Sequence, residues 1–334
     1  MMIILLGLVS QTAFAFQQTD SLKIELDEVV VVGYEGNRSI METPASISTI
    51  KADQLYLFDN ASLLSGVNSL PGIRMEKRAP GSYRVSIRGS SLRSPFGVRN
   101  VKVYWNGIPF TEPTGSTALN LLDMKNVNSI EVLKGPAGSM YGAGNGGVLL
   151  LNSFASTPHT QITSAGSVGS YGDVRYSGAY LRKMKNGTLQ YRYAKQKLDG
   201  YRDQSFLDRE TVEANGRFIV SSKSLVQINM LYSNLYYGIP GGLDAVQFAD
   251  NPRQARSGSV DKNSSVSHES LNLGATLDNE IMSNLRMVSS IYTSLSTFDN
   301  PFYLIIRKRA ERVEAFVQGC FIVHELRMLQ PSLL

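Results

Sequence analysis

The glycine-rich segment 135–147 contains the spacing of a dinucleotide-binding loop. Gly142, Gly144 and Gly147 form the pattern Gly-x-Gly-x-x-Gly, which in that kind of site needs a helix beginning at the third glycine. Here an apolar run, 148–151, follows instead and favours a strand, and the first acidic residue that could bind a ribose is Asp173. We therefore interpret the glycines as positions for tight turns and close backbone approach.

Residues that could hold a metal ion or attack a substrate are few. The single cysteine, Cys320, excludes a disulfide framework and a cysteine-based zinc or iron–sulfur site. His159, His268 and His324 show no metal-ligand spacing. The nucleophile-elbow, zinc-peptidase and P-loop motifs are also missing from the sequence. The sequence thus predicts neither an enzyme nor a bound metal or cofactor.

One isolated strand pattern could bind another protein by pairing with its sheet. Residues 27–34 place four valines between two acids and Gly-Tyr, with polar sequence on both sides. One interpretation is an edge strand of the next domain. The other is a peptide that adds itself to a partner's sheet, where main-chain hydrogen bonds give affinity and alternate side chains give specificity. Its residues are Asp27, Glu28, Val29, Val30, Val31, Val32, Gly33 and Tyr34.

The composition is that of a β protein rich in glycine and tyrosine. The chain has 334 residues, of which 43% are hydrophobic and 18% charged, with 29 Gly and 16 Tyr. Disordered chains and soluble helical proteins contain more charge and less of both residues. The 33 basic and 28 acidic side chains are interspersed, so the net charge of +5 gives little support for nucleic-acid binding.

The N-terminus has the pattern of an export signal. The apolar run 3–9 is followed by Ala13-Phe14-Ala15, a small-residue cleavage pattern. We interpret residues 1–15 as a signal peptide and residues 16–40 as a linker that carries the strand peptide. After residue 22 no window approaches 18 consecutive apolar residues. An exported protein of this kind is either soluble outside the inner membrane or a β-barrel.

Residues 41–156 have the pattern of a small α+β domain. Short helices are expected after residue 51 and over residues 62–70, where Pro71-Gly72 ends the second helix. Strands are expected over residues 83–88, 101–105, 129–133 and 148–151. Asn106-Gly107 predicts a tight turn, because both residues tolerate positive φ.

Residues 157–309 contain about seven strand patterns in which polar and apolar positions alternate. In the second pattern Val174 and Tyr176 share one face, while Arg175 and Ser177 share the other. A soluble β-sandwich alternates in the same way. Strand length, tyrosines near strand ends, a polar opposite face and the export signal together favour an outer-membrane barrel with a wet lumen.

Three longer motifs in the α+β domain resemble a known family. They are Val85-Ser86-Ile87-Arg88-Gly89, the run 103–109 (VYWNGIP) and the run 130–142 (IEVLKGPAGSMYG). With the signal and the strand peptide, they resemble the TonB-dependent outer-membrane receptors of Gram-negative bacteria over residues 1 to about 309, and the strand peptide looks like that of the Bacteroidetes branch. The resemblance implies an α+β plug domain followed by antiparallel transmembrane β-barrel strands, about 22 in a complete barrel.

The same resemblance implies roles for particular residues. The strand peptide would be the TonB box, pulled by a TonB-type energy-transducing complex of the inner membrane. Arg88 and Lys134 would lock the plug against acids of the barrel wall, although Lys134 replaces the usual arginine and so offers a point charge instead of a bidentate fork. Plug loops 78–83, 92–99 and 110–117 would face outward and bind substrate. Their candidate residues are Arg78, Tyr83, Arg93, Phe96, Arg99, Phe110 and Glu112.

Cations mixed with aromatic residues suit an anionic or catecholate ferric chelate. The segments 238–243 and 251–256 look like an extracellular loop of ferric-citrate-type receptors, so we expect a ferric siderophore or another ferric chelate as cargo. Cobalamin, an oligosaccharide or a peptide would use similar residues. A passive surface-binding β-protein or adhesin is the alternative class, but such a module has no use for an isolated strand peptide in the periplasm.

The last segment departs from the pattern. After Ala310 the alternation stops, and residues 310–334 hold the only cysteine and resemble nothing in the family. Seven strands are also too few to close a plugged barrel. We therefore expect a fragment that makes no working channel, with residues 310–334 as an aberrant tail of the kind a frameshift leaves. A short native helix is the other interpretation of this tail.

Overall fold

The computed structural model describes residues 30–31, 38–40, 43, 45–55, 57, 63–90, 97–136, 141–142, 146–155, 159–282, 285–300 and 311–313. We call its described residues 43–155 the plug, and the strands after them the wall. The predicted signal peptide and most of the strand peptide lie outside these residues. The elements up to residue 155 are β1 (Val30–Val31), β2 (Arg38–Ser39), β3 (Ile47–Lys51), α1 (Ala52–Leu55), α2 (Leu64–Asn68), β4 (Ile73–Ala79), β5 (Ser82–Ile87), β6 (Val101–Trp105), β7 (Ile108–Pro109), β8 (Ser129–Lys134) and β9 (Gly147–Asn152).

The plug is built on a five-stranded sheet in the order β3-β8-β9-β6-β7. Strand β9 lies in the centre, antiparallel to β8 and parallel to β6. It follows the glycine-rich segment directly, which confirms that a strand and not a helix follows Gly147. Apolar residues at alternate positions of β6 and β8, among them Val103, Trp105 and Ile130, are fully buried in the core. Strands β4 and β5 form a separate hairpin.

The sequence predicted most of these elements. The expected helices are α1 and α2, and the expected strands are β5, β6, β8 and β9. The strand bounds differ from the expected ones by at most one residue, and α2 is two residues shorter at each end. Asn106 and Gly107 have φ of 50° and 84°, which confirms the tight turn. Strands β3 and β4 were not predicted, because β3 mixes polar residues with its two isoleucines and β4 carries four charged side chains. No helix in the described part of the chain is long and apolar enough to cross a membrane.

The wall is one antiparallel sheet in which each strand pairs with the next along the chain. Its strands are β10 (Gln161–Val168), β11 (Val174–Met184), β12 (Gly187–Leu198), β13 (Leu207–Ser221), β14 (Ser224–Gly238), β15 (Ser265–Met282), β16 (Leu285–Asp299) and β17 (Glu311–Val313). Two-residue turns, 185–186 and 222–223, join strands at one edge of the wall. At the other edge the described residues include three longer connections, L1 (169–173), L2 (199–206) and L3 (239–264), and L3 contains the short helix α3 (Ala245–Asp250). Short periplasmic turns and longer extracellular loops are typical of outer-membrane barrels, so L1, L2 and L3 mark the outer end.

The two faces of the wall differ in polarity as the alternation predicted. Val174 and Tyr176 are 46% and 51% exposed on the outside, whereas Arg175 between them is 3% exposed and faces the plug. The buried face of the wall is mostly polar, although Leu231 and Leu235 of β14 are also buried on it. Its buried polar residues include Gln190, Arg209, Thr211, Glu213, Asn215, Asn229, Ser233 and His268. A soluble sandwich buries its apolar face. The opposite arrangement, apolar outside and polar inside, is that of a transmembrane barrel wall.

Residues 311–313 continue the wall. Strand β17 pairs antiparallel with β16, with Val313 opposite Ser296. The expectation that the strand pattern ends after Ala310 is wrong for these three residues.

Candidate functional site at the plug–barrel interface

A buried ionic cluster joins the plug to the wall. Asp123 lies between two 3-10 turns of the plug, Leu119–Leu121 and Met124–Asn126, and is 1% exposed. Arg175 of β11 donates from one guanidinium nitrogen to both carboxylate oxygens, at 2.6 Å from Oδ2. A guanidinium nitrogen of Arg209 lies 3.8 Å from Oδ1. Charges this deeply buried are held in place by their partners, because an unpaired one is strongly destabilising.

Arg209 of β13 also binds the plug backbone. Its guanidinium donates to the carbonyl oxygens of Asn120 at 3.3 Å and Leu122 at 3.0 Å. The last carbonyls of a short helical turn have no partner within that turn. A wall arginine thus satisfies the end of the first 3-10 turn and holds it at the interface.

A second polar cluster lies beside the first. Asn126 donates from its side-chain amide to Glu213 Oε1 at 2.9 Å, and its carbonyl accepts from Arg192 at 3.2 Å. Arg192 lies 3.7 Å from the other carboxylate oxygen of Glu213. Plug segment 119–126 therefore contacts the polar faces of β11, β12 and β13.

The predicted tight turn of the plug supplies a third contact. The amide of Asn106 donates to Asn229 Oδ1 at 3.0 Å and to Asn215 Oδ1 at 3.4 Å. Its own Oδ1 accepts the backbone N–H of Ser153, whose hydroxyl accepts from Trp105 Nε1. Asn106 thus combines the positive φ that the turn requires with an amide that bridges the plug core and the wall.

Two glycines allow the plug and the wall to approach closely. A Cβ at Gly81 would lie 2.3 Å from the ring of Tyr237, and one at Gly274 would lie 2.6 Å from Ile108 Cδ1. Tyr237 is near the end of β14 that leads into L3. The tip of the β4–β5 hairpin therefore lies toward the outer end of the wall.

Comparison with known proteins identifies this architecture. The family model described as "TonB-dependent Receptor Plug Domain" matches residues 39–149. Residues 39–149 thus form the plug domain of the TonB-dependent receptors. The described residues of the chain form the plug and part of the barrel of such a receptor.

Two curated relatives are similar in the plug region. A hemin receptor of Yersinia enterocolitica is 30% identical over 133 residues, and the vitamin B12 transporter BtuB of Vibrio vulnificus is 26% identical over 119 residues. These matches cover 40% and 35% of this chain and 19% of each relative. The chain thus spans about a fifth of the length of the curated relatives it matches.

Solved structures share the fold at low sequence identity. The ferric citrate transporter FecA in its unliganded form superposes with a TM-score of 0.66 at 14% identity, covering 82% of this chain and 43% of FecA. The ferric yersiniabactin uptake receptor FyuA from Yersinia pestis gives a TM-score of 0.62 at 16% identity, covering 77% and 42%. A plug packed against an antiparallel strand wall is therefore a fold that this chain shares with these proteins.

The predicted lock residues of this receptor lie side by side. Arg88 adopts a positive φ of 50° and donates to the carbonyl oxygen of Lys134 at 3.4 Å. Burial, and next the neighbouring charge of Arg88, lower the pKa of the Lys134 ammonium. Among the residues the structure describes, no carboxylate lies within 4.0 Å of either cation. The pairing with wall acids stays a prediction.

The predicted substrate residues are separated by the fold. Arg78 and Arg99 are exposed, and Glu112 is half-buried. Phe110 and Glu112 line a cavity of about 230 Å³ between the plug and strands β15 and β16. Arg93 and Phe96 lie outside the described residues.

The position of Tyr83 differs from the one that the sequence predicted. The sequence placed it in an outer loop, but it lies within β5 and packs in the plug core. The hairpin turn is at Pro80-Gly81, so only the residues around that turn form the tip, and the alternation of β5 directs Tyr83 inward.

Of the predicted TonB box, residues Val30 and Val31 are described. They form β1, which pairs antiparallel with Arg38 and Ser39 of β2.

Proposed function

We propose that this protein is an outer-membrane receptor that takes up a scarce nutrient with energy from a TonB-type inner-membrane complex, and that its cargo is a ferric chelate. The plug docked by Asp123 against the polar face of the wall is the observation that carries the proposal. Separating the partners of a buried ion pair leaves uncompensated buried charges, so displacing a plug held by such pairs costs free energy. Transport past it needs mechanical work, and the periplasm offers no ATP, so the work arrives through a protein contact.

The TonB box is the proposed point of that contact. Box residues 27–34 lie just before the plug, and β1 shows that Val30 and Val31 adopt the extended conformation that strand addition needs. Pairing with a partner's sheet edge gives a ladder in which several hydrogen bonds bear the load together. Export by signal peptide 1–15 and locking by Arg88 and Lys134 belong to the same proposal.

Ferric chelates are the proposed cargo because exposed cationic plug residues suit an anionic chelate. Arg78 lies in β4 beside the hairpin tip, and Gly81 of that tip packs against Tyr237. Arg99 is exposed and lies just before β6, a strand that lines the cavity. Similar proteins include a hemin receptor and transporters of ferric citrate and ferric yersiniabactin. Cobalamin is the second candidate, since the Vibrio vulnificus relative is a vitamin B12 transporter.

Growth of a receptor-deleted strain tests cargo and energy coupling together. The full-length gene is restored in that strain, and growth is measured on ferric citrate, a ferric catecholate, hemin and cobalamin as limiting nutrients, with and without the energising complex. We expect energy-dependent growth on a ferric chelate. Growth on cobalamin alone would assign the second cargo, and binding without energy-dependent growth would favour a passive surface protein.

The box makes a sharp prediction about partner binding. Val30→Pro removes one main-chain donor and bends the strand, so a peptide of residues 16–40 is expected to bind the partner's periplasmic domain at least about tenfold more weakly. Val30→Thr is the control, because it keeps the N–H group and the β-branched shape. Equal affinity of the proline and threonine peptides would rule out strand addition at this residue.

A further inference from the structure

The two edges of the wall differ in charge. The outer connections L1, L2 and L3 contain six acidic and four basic residues. At the other edge, the turn between β11 and β12 carries Arg182, Lys183 and Lys185, all of them exposed. The acids described near that edge are Asp278 and Glu280, which lie three strands away on β15. The cluster of cations is therefore a local feature of this turn and not a property of the whole wall.

No carboxylate of the described residues pairs with these cations. In the part of the chain that the structure describes, no carboxylate oxygen lies within 4.0 Å of Arg182, Lys183 or Lys185, and their side chains make no hydrogen bond. Of the two acids on β15, Asp278 is already bound by Arg286, whose Nε donates to it at 2.7 Å. Like charges side by side on one turn repel one another. An anion from outside the chain would therefore stabilise the turn.

The turn presents its cations on a backbone that is held from both sides. The backbone N–H of Lys183 donates to Thr160 Oγ1 at 3.0 Å, just before β10. On the other side, the carbonyl oxygen of Asn186 accepts the backbone N–H of Ile219 in β13 at 2.7 Å. Because the backbone is already fixed, an anion that binds these cations pays little for ordering the turn.

An aromatic pair on the outside of the wall lies next to the turn. Tyr180 and Tyr191 are cross-strand partners and are 37% and 47% exposed. Arg182 follows Tyr180 on the same face of β11, about 7 Å further along the strand.

This order of side chains matches the layers of a bilayer. Tyrosines of a membrane protein concentrate at the level of the lipid headgroups. An arginine just beyond them keeps its stem along the apolar surface and extends its guanidinium toward the phosphates. The apolar outer surface of the wall, Tyr180 with Tyr191, and then Arg182 follow that sequence. The turn between β11 and β12 thus lies at the level of the headgroups.

We propose that Arg182, Lys183 and Lys185 form a binding site for the headgroup of an anionic phospholipid in the periplasmic leaflet of the membrane. The lipid phosphate accepts hydrogen bonds from the Arg182 guanidinium, and the two lysines add charge attraction. The acyl chains lie along the apolar outer surface beside Tyr180 and Tyr191. The site shares no residue with the plug, the cargo positions or the TonB box. Its location in the outer membrane rests on the proposed function.

The test measures lipid binding without transport. The full chain is purified in detergent, and native mass spectrometry counts the bound lipids as phosphatidylglycerol or phosphatidylcholine with identical acyl chains is added. The first lipid carries a net negative charge and the second carries none. We expect phosphatidylglycerol to bind at least about tenfold more tightly. Glycerol phosphate, which has the phosphate without acyl chains, is expected to bind at least about tenfold more weakly than phosphatidylglycerol, because it buries no apolar surface.

A double variant and a matched control locate the site. Arg182→Gln with Lys185→Gln removes two charges at the turn and is expected to weaken binding of phosphatidylglycerol at least about tenfold. Arg253→Gln with Lys262→Gln removes two exposed charges at the outer edge and is expected to leave this binding unchanged. Because all four side chains are exposed, the denaturant midpoint from Trp105 fluorescence is expected to stay the same in both variants.

The outcomes separate this site from the uptake proposal. Equal binding of both lipids by the unaltered chain, full binding of phosphatidylglycerol by the double variant, or an equal loss in the matched control would overturn the site. Glycerol phosphate that binds as tightly as phosphatidylglycerol would assign the cations to a soluble anion and overturn the lipid site as well. Neither cargo nor energising complex is present, so a negative result leaves uptake standing, and failure of uptake leaves a positive lipid result standing.

Discussion

Replacing Asp123 with alanine is expected to lower the free energy of unfolding of the plug by about 3–5 kcal/mol, because the change leaves Arg175 buried without its counter-charge. Arg175 is 3% exposed, and Arg209 loses a neighbouring carboxylate as well. Trp105, the single tryptophan of the chain, is fully buried in the plug core and reports this unfolding by fluorescence during denaturant titration.

Two further variants serve as comparisons for the stability change of Asp123→Ala. Asp261→Ala removes an exposed acid in L3 and is expected to change stability by no more than about 0.5 kcal/mol. The double variant Asp123→Ala with Arg175→Met is expected to recover part of the loss, since it removes the unpaired charge. If Asp123→Ala and Asp261→Ala unfold at the same denaturant concentration, the buried cluster does not anchor the plug.

Gly147→Ala is expected to destabilise the plug by about 2–6 kcal/mol through backbone strain and overpacking. Gly147 begins the central strand β9 with a φ of 137°, and an added Cβ would lie 2.2 Å from the carbonyl oxygen of Leu133. Strand β8 contributes that carbonyl, so either strand must move to make room. Trp105 fluorescence again gives the denaturant midpoint.

Gly107→Ala is the matched control for the strained backbone alone. Gly107 has a φ of 84°, but a Cβ there would meet no atom within 4 Å. It is expected to cost about 1–2 kcal/mol. If Gly147→Ala lowers the free energy of unfolding no more than Gly107→Ala does, the close approach of β8 and β9 can relax at little cost in free energy.

The sequence determined the local structure and the polarity of each face. Alternation with a period of two assigns Arg175 to the face opposite Tyr176 whatever the strand contacts, because successive side chains in a strand point to opposite sides. The Asn106-Gly107 pair specified a turn because few residue pairs tolerate two positive φ angles. The glycines before β9 indicated tight approach, and the structure identifies the carbonyl of Leu133 as the group that Gly147 approaches.

Only the tertiary structure decided which polar faces meet. Asp123 and Arg175 are 52 residues apart, and Asn126 and Glu213 are 87 apart. Arg175, Arg192 and Glu213 were recognisable as residues of a polar face, but their partners depend on how the plug is rotated within the wall. The burial of Tyr83 depends in the same way on the β4–β5 hairpin, whose strand β4 is charged and was not predicted. Periodicity fixes the direction of a side chain relative to its own strand, whereas a contact between distant segments is fixed by the packing of the whole chain.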